Sequence, residues 1–463
     1  MSSARVPALS PADIKSSGLC IGCGGCAARG LDTGALMEMD PFGQYKPQGS
    51  DRFLRTRTAE FARICPFSPA ASNEDDLARP RFAPTGTRDT RLGWFEGAYV
   101  GAAAESDFRA NGSSGGLVSW VAAELLRLGL VDGVAHVRPD AGSDTFFRYT
   151  ISRTPEELHR GAKSRYYPVE LSGVLDEIRR VPGRYAIVAI PCFTKAIHLQ
   201  RQNDPVLAER IAFTLGLFCG HMKSARLVES FAWQLGTSIE EVRQPEYRLK
   251  DPSRPANWYT AHLTLQDGTT RQQDWMHLVD GDWGAGFFMN SACNFCDDVV
   301  AETADIAFGD AWVEPHSSNG KGTNVVVVRS PQLHAIMEAA MGEGRLNLEA
   351  VDADYIVGTQ AAGFRQRREG LAYRLTWFRR GIRPRKRVAP SRDLKLRRKL
   401  IYRMRYAISW WSHRLFWLAR RTGRPPIYTR WAAGALKTYQ GLTWGHGKVG
   451  QWVAKLGLSG KDG

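Results

Sequence analysis

All eight cysteines of this chain fall into two groups of four, and that division constrains the fold more than any other feature. Cys20, Cys23 and Cys26 form a C-x2-C-x2-C run in GLCIGCGGCAA, and Cys65 follows in ICP. Two-residue spacers let three thiolates reach three irons of one cubane. The glycines between them let backbone N–H groups approach its sulfides. A fourth ligand followed by proline, as in Cys65-Pro66, completes the half-ferredoxin pattern. A structural zinc site favours paired C-x-x-C units and has no use for the third spaced cysteine. The expectation is a 4Fe-4S cluster on Cys20, Cys23, Cys26 and Cys65.

The second group is dispersed: Cys192 in IPCF, Cys219 in FCG, and Cys293 and Cys296 in CNFC. Cys192 and Cys219 each follow a predicted strand, and the C-terminal ends of strands are where open α/β sheets place ligands. Four more thiolates match a second 4Fe-4S cluster. A C-x-x-C redox dithiol with two structural cysteines, or a zinc site, fits the same residues.

At 463 residues the chain has room for two or three domains. The N-terminal MSSARVPALSPADIKSS lacks the apolar core of a secretory signal, and no apolar run approaches a spanning helix. The reading is a cytoplasmic protein, where clustered cysteines serve as metal ligands or catalysts. Charge is uneven along it. Residues 365–463 hold 26 Lys and Arg against 3 Asp and Glu, and seven of the 14 tryptophans. The other residues hold 36 basic and 44 acidic side chains. So abrupt a shift marks a boundary near residue 365.

Residues 1–90 offer little apolar sequence of their own and read as a small ferredoxin-like module held by its cluster, with 73–91 as a linker or an irregular connection. From Trp94 the pattern becomes α/β. Strands are predicted over 96–102, 131–137, 184–190 and 211–218, and helices over 117–128, 171–180, 194–202 and 225–235. That alternation implies a largely parallel sheet. The stretch 258–274 reads as a hairpin turning at Asp267-Gly268. In the tail Ile401, Met404, Ile408, Trp411, Leu415 and Leu418 repeat at helical spacing, with Arg403, Arg405, Arg414, Arg420 and Arg421 largely off the stripe. A basic amphipathic helix with interfacial Trp suits an anionic membrane surface. It also suits an acidic partner, or packing back on the body. No nucleic-acid module is present.

Further candidates lie between the cysteines. Asn111, Gly112, Ser113, Ser114, Gly115 and Gly116 link a strand to a helix, where free N–H groups attract phosphate. The segment is neither a Walker loop nor GxGxxG, and a plain tight turn has the same composition. Lys163, Ser164, Arg165 and Tyr166 add cations and hydroxyls suited to a pyrophosphate, or form a solvated basic loop. In DIAFGDAW, Asp310 is placed to bond a ribose or ring, with Phe308 and Trp312 to stack; a buried strand ending in a turn is the plainer reading. His221, just after Cys219-Gly220, is the candidate proton donor, against a structural role.

The ordered set C-x2-C-x2-C…CP, GSSGG-L, KSRYYPVEL, PC, GLFCG, CNFC and DIAFGDAW resembles the coenzyme F-420 hydrogenase/dehydrogenase beta-subunit family, over about residues 15–345. That family also includes ferredoxin-dependent chlorophyll-pathway reductases. The resemblance implies FAD and iron–sulfur clusters, with Cys192, Cys219, Cys293 and Cys296 holding a cluster near FAD. Residues 111–116 and 163–166 would surround the flavin nucleotide. The basic tail departs from the family's core, and the stretch 275–290 matches no characterised branch closely enough to name a substrate. The implied organisation is an iron–sulfur module with its linker at 1–90, a FAD and iron–sulfur catalytic domain at 91–364, and a basic helical tail at 365–463. The implied function is an oxidoreductase passing electrons from ferredoxin or a partner subunit through two 4Fe-4S clusters to FAD, and on to a deazaflavin-like or other small molecule. The tail would make a peripheral contact at the inner membrane face. The alternative is a non-catalytic electron-transfer subunit docking onto a larger redox complex.

Overall fold

The computed structural model describes residues 7–29, 34–140, 145–377 and 381–456. At its centre lies an eight-stranded sheet: β1 (Gly97–Ala103), β2 (Gly133–Pro139), β3 (Phe147–Ser152), β4 (Tyr185–Ala189), β5 (Ile211–Leu217), β6 (Ile306–Asp310), β7 (Asn324–Val328) and β8 (Leu346–Ala350). The order across it is β8-β1-β7-β6-β5-β4-β2-β3. β2, β4, β5 and β6 run parallel. The remaining pairings are antiparallel, so the expected parallel character holds only for the centre. The reason is connectivity. β6 returns to β7 through residues 311–323 with no crossover helix, and the two strands pair antiparallel. β7 reads NVVVV and is buried along its whole length, as a strand covered on both faces should be.

Helix α1 (Leu117–Arg127) follows β1, and α2 (Pro191–Asn203) connects β4 to β5. Pro191 occupies the first turn of α2, where its missing N–H costs nothing. Cys192 therefore opens a helix directly after β4, and Cys219 follows the end of β5. Because β4 and β5 are parallel neighbours, both cysteines emerge at one sheet edge. The predicted hairpin forms from Thr260–Leu265 and Thr270–Asp274, with Gly268 at φ +85° in its turn. Val242–Glu246 adds a third strand.

The stretch 73–91 is not a loose linker. Asn73 and Asp76 form a reciprocal capping box that starts the helix Glu74–Phe82, whose Leu77, Ala78 and Phe82 are buried. The N-terminal residues Ile14, Leu19, Ile21, Phe61 and Phe67 share one core with Leu171, Leu175, Ile187, Phe193 and Ile197 of the α/β body.

The basic tail packs back on the body. Its helices are α3 (Leu396–Thr422), α4 (Pro426–Trp444) and α5 (Gly447–Lys455), with left-handed glycines Gly423 and Gly445 ending the first two. Ile401, Ile408, Phe416, Tyr428 and Tyr439 join a core with Phe231, Trp275, Phe287 and Phe288. The buried face of α3 differs from the predicted stripe. It runs through Ile401, Arg405, Ile408, Ser412, Phe416 and Ala419, and it turns Trp411 and Leu418 outward. Among the described residues no helix is long and apolar enough to cross a membrane.

Candidate functional site

Cys192, Cys219, Cys293 and Cys296 line one cavity together with Pro191, Met222 and Arg367. Ile21 and Phe67, neighbours of Cys20 and Cys65, close its other side. The fold thus brings the dispersed set together and seats it beside the N-terminal set. Cys192 feels the charge of Cys296, Cys219 and Cys293, and also that of Cys23. The Met222 N–H donates to Cys293 Sγ at 3.3 Å, and Met222 Sδ lies 3.7 Å from Cys192 Sγ.

All eight cysteines are free thiols. Burial pushes Cys293 up to about 11 and Cys219 to about 12, and raises Cys192 well above the usual range. In the N-terminal set burial lifts Cys23 to about 12 and raises Cys26 and Cys65. Thiols this hard to ionise make poor exchange nucleophiles. Among the described residues no three His, Cys, Asp or Glu side chains are arranged around a single ion.

Cations from beyond the α/β body surround the second set. Buried Arg367 donates through Nη2 to the carbonyls of Cys219 (2.6 Å) and Gly220 (2.7 Å), and through Nε to that of Asp298 (2.9 Å). Lys386 Nζ lies 2.9 Å from Asp297 and 4.6 Å from the centre of the Phe67 ring. Arg387 bridges Glu302 at 2.5 Å and Asp297 at 3.4 Å. Beside the N-terminal set, Lys46 Nζ donates to the Cys20 carbonyl at 2.8 Å.

The two loops singled out in the sequence meet. The Ser164 N–H donates to Ser113 Oγ at 2.7 Å. Lys250 draws the first loop together, donating to the carbonyls of Arg109, Gly112 and Ser114 at 2.5, 3.1 and 2.9 Å. Burial and the nearby Lys163 and Arg109 pull its pKa down to about 8. A Cβ on Gly116 would press on the Phe108 carbonyl and one on Gly115 on that of Gly101, so packing alone requires these two glycines. Asn111 bonds Asp107 within its own short helix. Lys163 holds a left-handed φ of +103°, an uncommon state for a non-glycine residue, and pairs with Glu246 at 3.0 Å. The Arg165 guanidinium lies 4.9 Å over Phe147, and its buried Nε has no hydrogen-bond partner among the described residues.

Asp310 accepts from Arg248 at 3.1 Å, and Arg248 stacks over Tyr259 at 4.3 Å and Trp312 at 5.5 Å. Phe308 does not join them: it lies in the core between the sheet and α1. Tyr166 packs on Trp283 (4.8 Å between ring centres), and Trp283 stacks on His221 at 4.4 Å. His221 is buried, which holds its imidazole well below the usual range and neutral. Arg405 of α3 approaches its Nδ1 at 3.4 Å, while its Nε2 has no partner. Lys223 Nζ donates to the Phe287 carbonyl at 2.7 Å, and burial draws its pKa down to about 7.

Sequence reasoning missed Arg367, Arg405, Lys223, Lys250 and Trp283. Lys250 and Lys223 stand in no recognisable motif. Arg367 and Arg405 were hidden among the many cations of the tail.

A family model for the beta-subunit N-terminal region of coenzyme F-420 hydrogenase/dehydrogenase matches residues 98–176, and one for the C-terminal region matches 183–354. No curated protein matches the chain. Among solved structures it resembles a chain of the F-420-reducing nickel–iron hydrogenase complex from Methanosarcina barkeri. The identity is 16% and the TM-score 0.50, over 64% of this chain and 99% of that one. That likeness concerns the fold. The two family regions together span more than half of the sequence, in order, and contain the second cysteine set, both candidate loops and Asp310. The chain therefore belongs to the coenzyme F-420 hydrogenase/dehydrogenase beta-subunit family, a family of redox subunits.

Proposed function

We propose that the chain is an iron–sulfur flavoprotein oxidoreductase that takes single electrons from ferredoxin or a partner subunit and delivers them in pairs to a small molecule. The observation carrying this reading is the meeting of eight cysteines as two adjacent sets, the second walled by Ile21 and Phe67 of the first. Their donor chemistry fits 4Fe-4S clusters. Four cysteines lining one cavity supply the four thiolates that a 4Fe-4S cluster takes. Bound in this chain, clusters would supply one-electron transfer and FAD the coupling of two single electrons to a hydride.

The residues divide the work. Cys20, Cys23, Cys26 and Cys65 hold one cluster, and Cys192, Cys219, Cys293 and Cys296 the other. Ser113, Lys163, Ser164, Arg165 and Lys250 form a cationic cradle for the flavin pyrophosphate, supported by the unpartnered Arg165 Nε. Tyr166, Arg248 and Asp310 hold the ring side. His221, with Arg405 at its Nδ1, keeps Nε2 as a hydrogen-bond donor towards the reacting group. The basic tail acts as a peripheral docking element at an anionic membrane surface.

Anaerobic purification with iron, sulfide and flavin assays tests this reading. About eight irons and one FAD per chain are expected. Zinc without flavin would sink it. A second reading, a non-catalytic subunit docked on a larger redox complex, draws support from the likeness to a chain of a hydrogenase complex. Constant co-purification with a partner, and no turnover alone with artificial donors, would favour it.

A further inference from the structure

The tail contains no Asp or Glu from Leu394 to Lys461. Several of its cations are nonetheless committed to the body. Arg398 pairs with Glu369 and Arg420 with Glu229, and Arg405 is buried. Others are not. On α3 the positions 410, 411, 414, 417, 418 and 421 follow helical 3/4 spacing and share one face. Trp410, Trp411, Trp417 and Leu418 are 40%, 46%, 36% and 39% exposed there. The Arg414 guanidinium lies 3.3 Å over the Trp410 ring and that of Arg421 5.4 Å over Trp417. Neither has a carboxylate partner among the described residues. Trp444 of α4 and Trp452 of α5 are exposed by more than 60%.

Four large aromatic or aliphatic side chains left in water on one helix need a cover. A protein interface would also use Trp and Arg, but its rim mixes charges of both signs, whereas this stretch has no Asp or Glu from Leu394 to Lys461. Here Trp410 and Trp417 are each capped by an arginine, and a face of one sign of charge matches phosphate headgroups. Trp at the headgroup level with Arg reaching phosphates is the composition of a bilayer interface. We infer that the outward face of α3, carrying Trp410, Trp411, Arg414, Trp417, Leu418 and Arg421, lies flat on an anionic phospholipid surface. This rests on the peripheral reading of the tail and gives it a face. That face shares only Trp411 and Leu418 with the stripe the apolar periodicity marks, because Ile401 and Ile408 are buried against the body.

The test is co-sedimentation of the purified full-length protein with vesicles of phosphatidylcholine, alone or with phosphatidylglycerol, at low and high salt. Partitioning onto the anionic vesicles is expected, weakened by salt. W411A/W417A/L418A and R414Q/R421Q are each expected to lower it about tenfold or more, with iron content and far-ultraviolet circular dichroism unchanged. Equal binding to phosphatidylcholine alone overturns the choice of anionic lipid. Undiminished binding by both variants overturns the face while leaving peripheral docking intact. Failure of the wild-type protein to bind any vesicle overturns the docking reading itself.

Discussion

Arg367 holds the backbone carbonyl of Cys219 with a 2.6 Å hydrogen bond, and so sets a permanent positive charge against the second cysteine set. The N-terminal set has Glu170 acting on Cys23 instead, which makes ionisation there harder. A cluster gains negative charge on reduction, and potentials follow local charge and hydrogen bonding. A neighbouring unit charge at an effective dielectric near 20 is worth roughly 4 kcal/mol in contact, or on the order of 100 mV for one electron. Arg367→Gln should therefore lower the midpoint potential of the second cluster by tens of millivolts, read by an electron paramagnetic resonance titration. Arg367→Lys should restore part of it. An unchanged potential in the Gln variant would mean that the guanidinium serves only to bind the loop.

The two cysteine sets are expected to load independently. Cys23→Ala and Cys293→Ala should each remove about four of eight irons. Their residual spectra should differ, because one variant retains the arginine-rich site and the other does not. Loss of all iron in Cys293→Ala would show that the second set is needed to assemble the first.

Lys250 gathers three carbonyls of the loop that carries Ser113. Lys250→Met removes the donor and leaves those oxygens without it. Flavin content should fall several-fold while iron stays constant. Equal loss of both would indicate general misfolding.

His413 ties the tail to the body. Its Nε2 donates to the Met289 carbonyl at 3.1 Å, and burial lowers its pKa to about 4. An unfolded histidine titrates near 6.5. Between these values the unfolded chain binds a proton that the folded chain refuses. Stability is therefore full above pH 6.5 and falls as pH drops towards 4, by up to roughly 3 kcal/mol. Denaturant titrations at pH 7 and pH 5 should show a smaller acid loss in His413→Gln. The slope that remains includes His136, which burial lowers similarly.

Phe416 stacks on Trp233 at 4.4 Å and meets Phe288 edge-on at 5.2 Å. Phe416→Ala should cost about 3–5 kcal/mol. Trp411→Ala, five positions earlier but on the outward face, should stay within about 0.5 kcal/mol. Comparable losses would contradict the observed facing of α3.

The N-terminal cysteines were legible because their ligand spacing is local. Cys192 and Cys219 were legible because each follows an apolar strand, and neighbouring parallel strands deliver both to one edge. The helix at Glu74–Phe82 was not, because charged residues and Pro80 masked its Asn73–Asp76 capping box. Arg367 and Arg405 were not, because a cation that will be buried looks in sequence like one that will be solvated. The apolar repeat of α3 misled for a related reason. Its true inner face includes Arg405, Ser409, Ser412 and His413, which bond His221, Met289 and Phe288 of the body through Arg405 Nη2, Ser409 Oγ, Ser412 Oγ and His413 Nε2.

The cover over the second cysteine set has a consequence for how the protein is made. Its last thiol, Cys296, leaves the ribosome roughly ninety residues before Arg387, which closes the loop around it. At about 5–20 residues per second that interval lasts several seconds. The nascent chain thus leaves these four thiols uncovered until the segment carrying Arg367, Lys386 and Arg387 has been made.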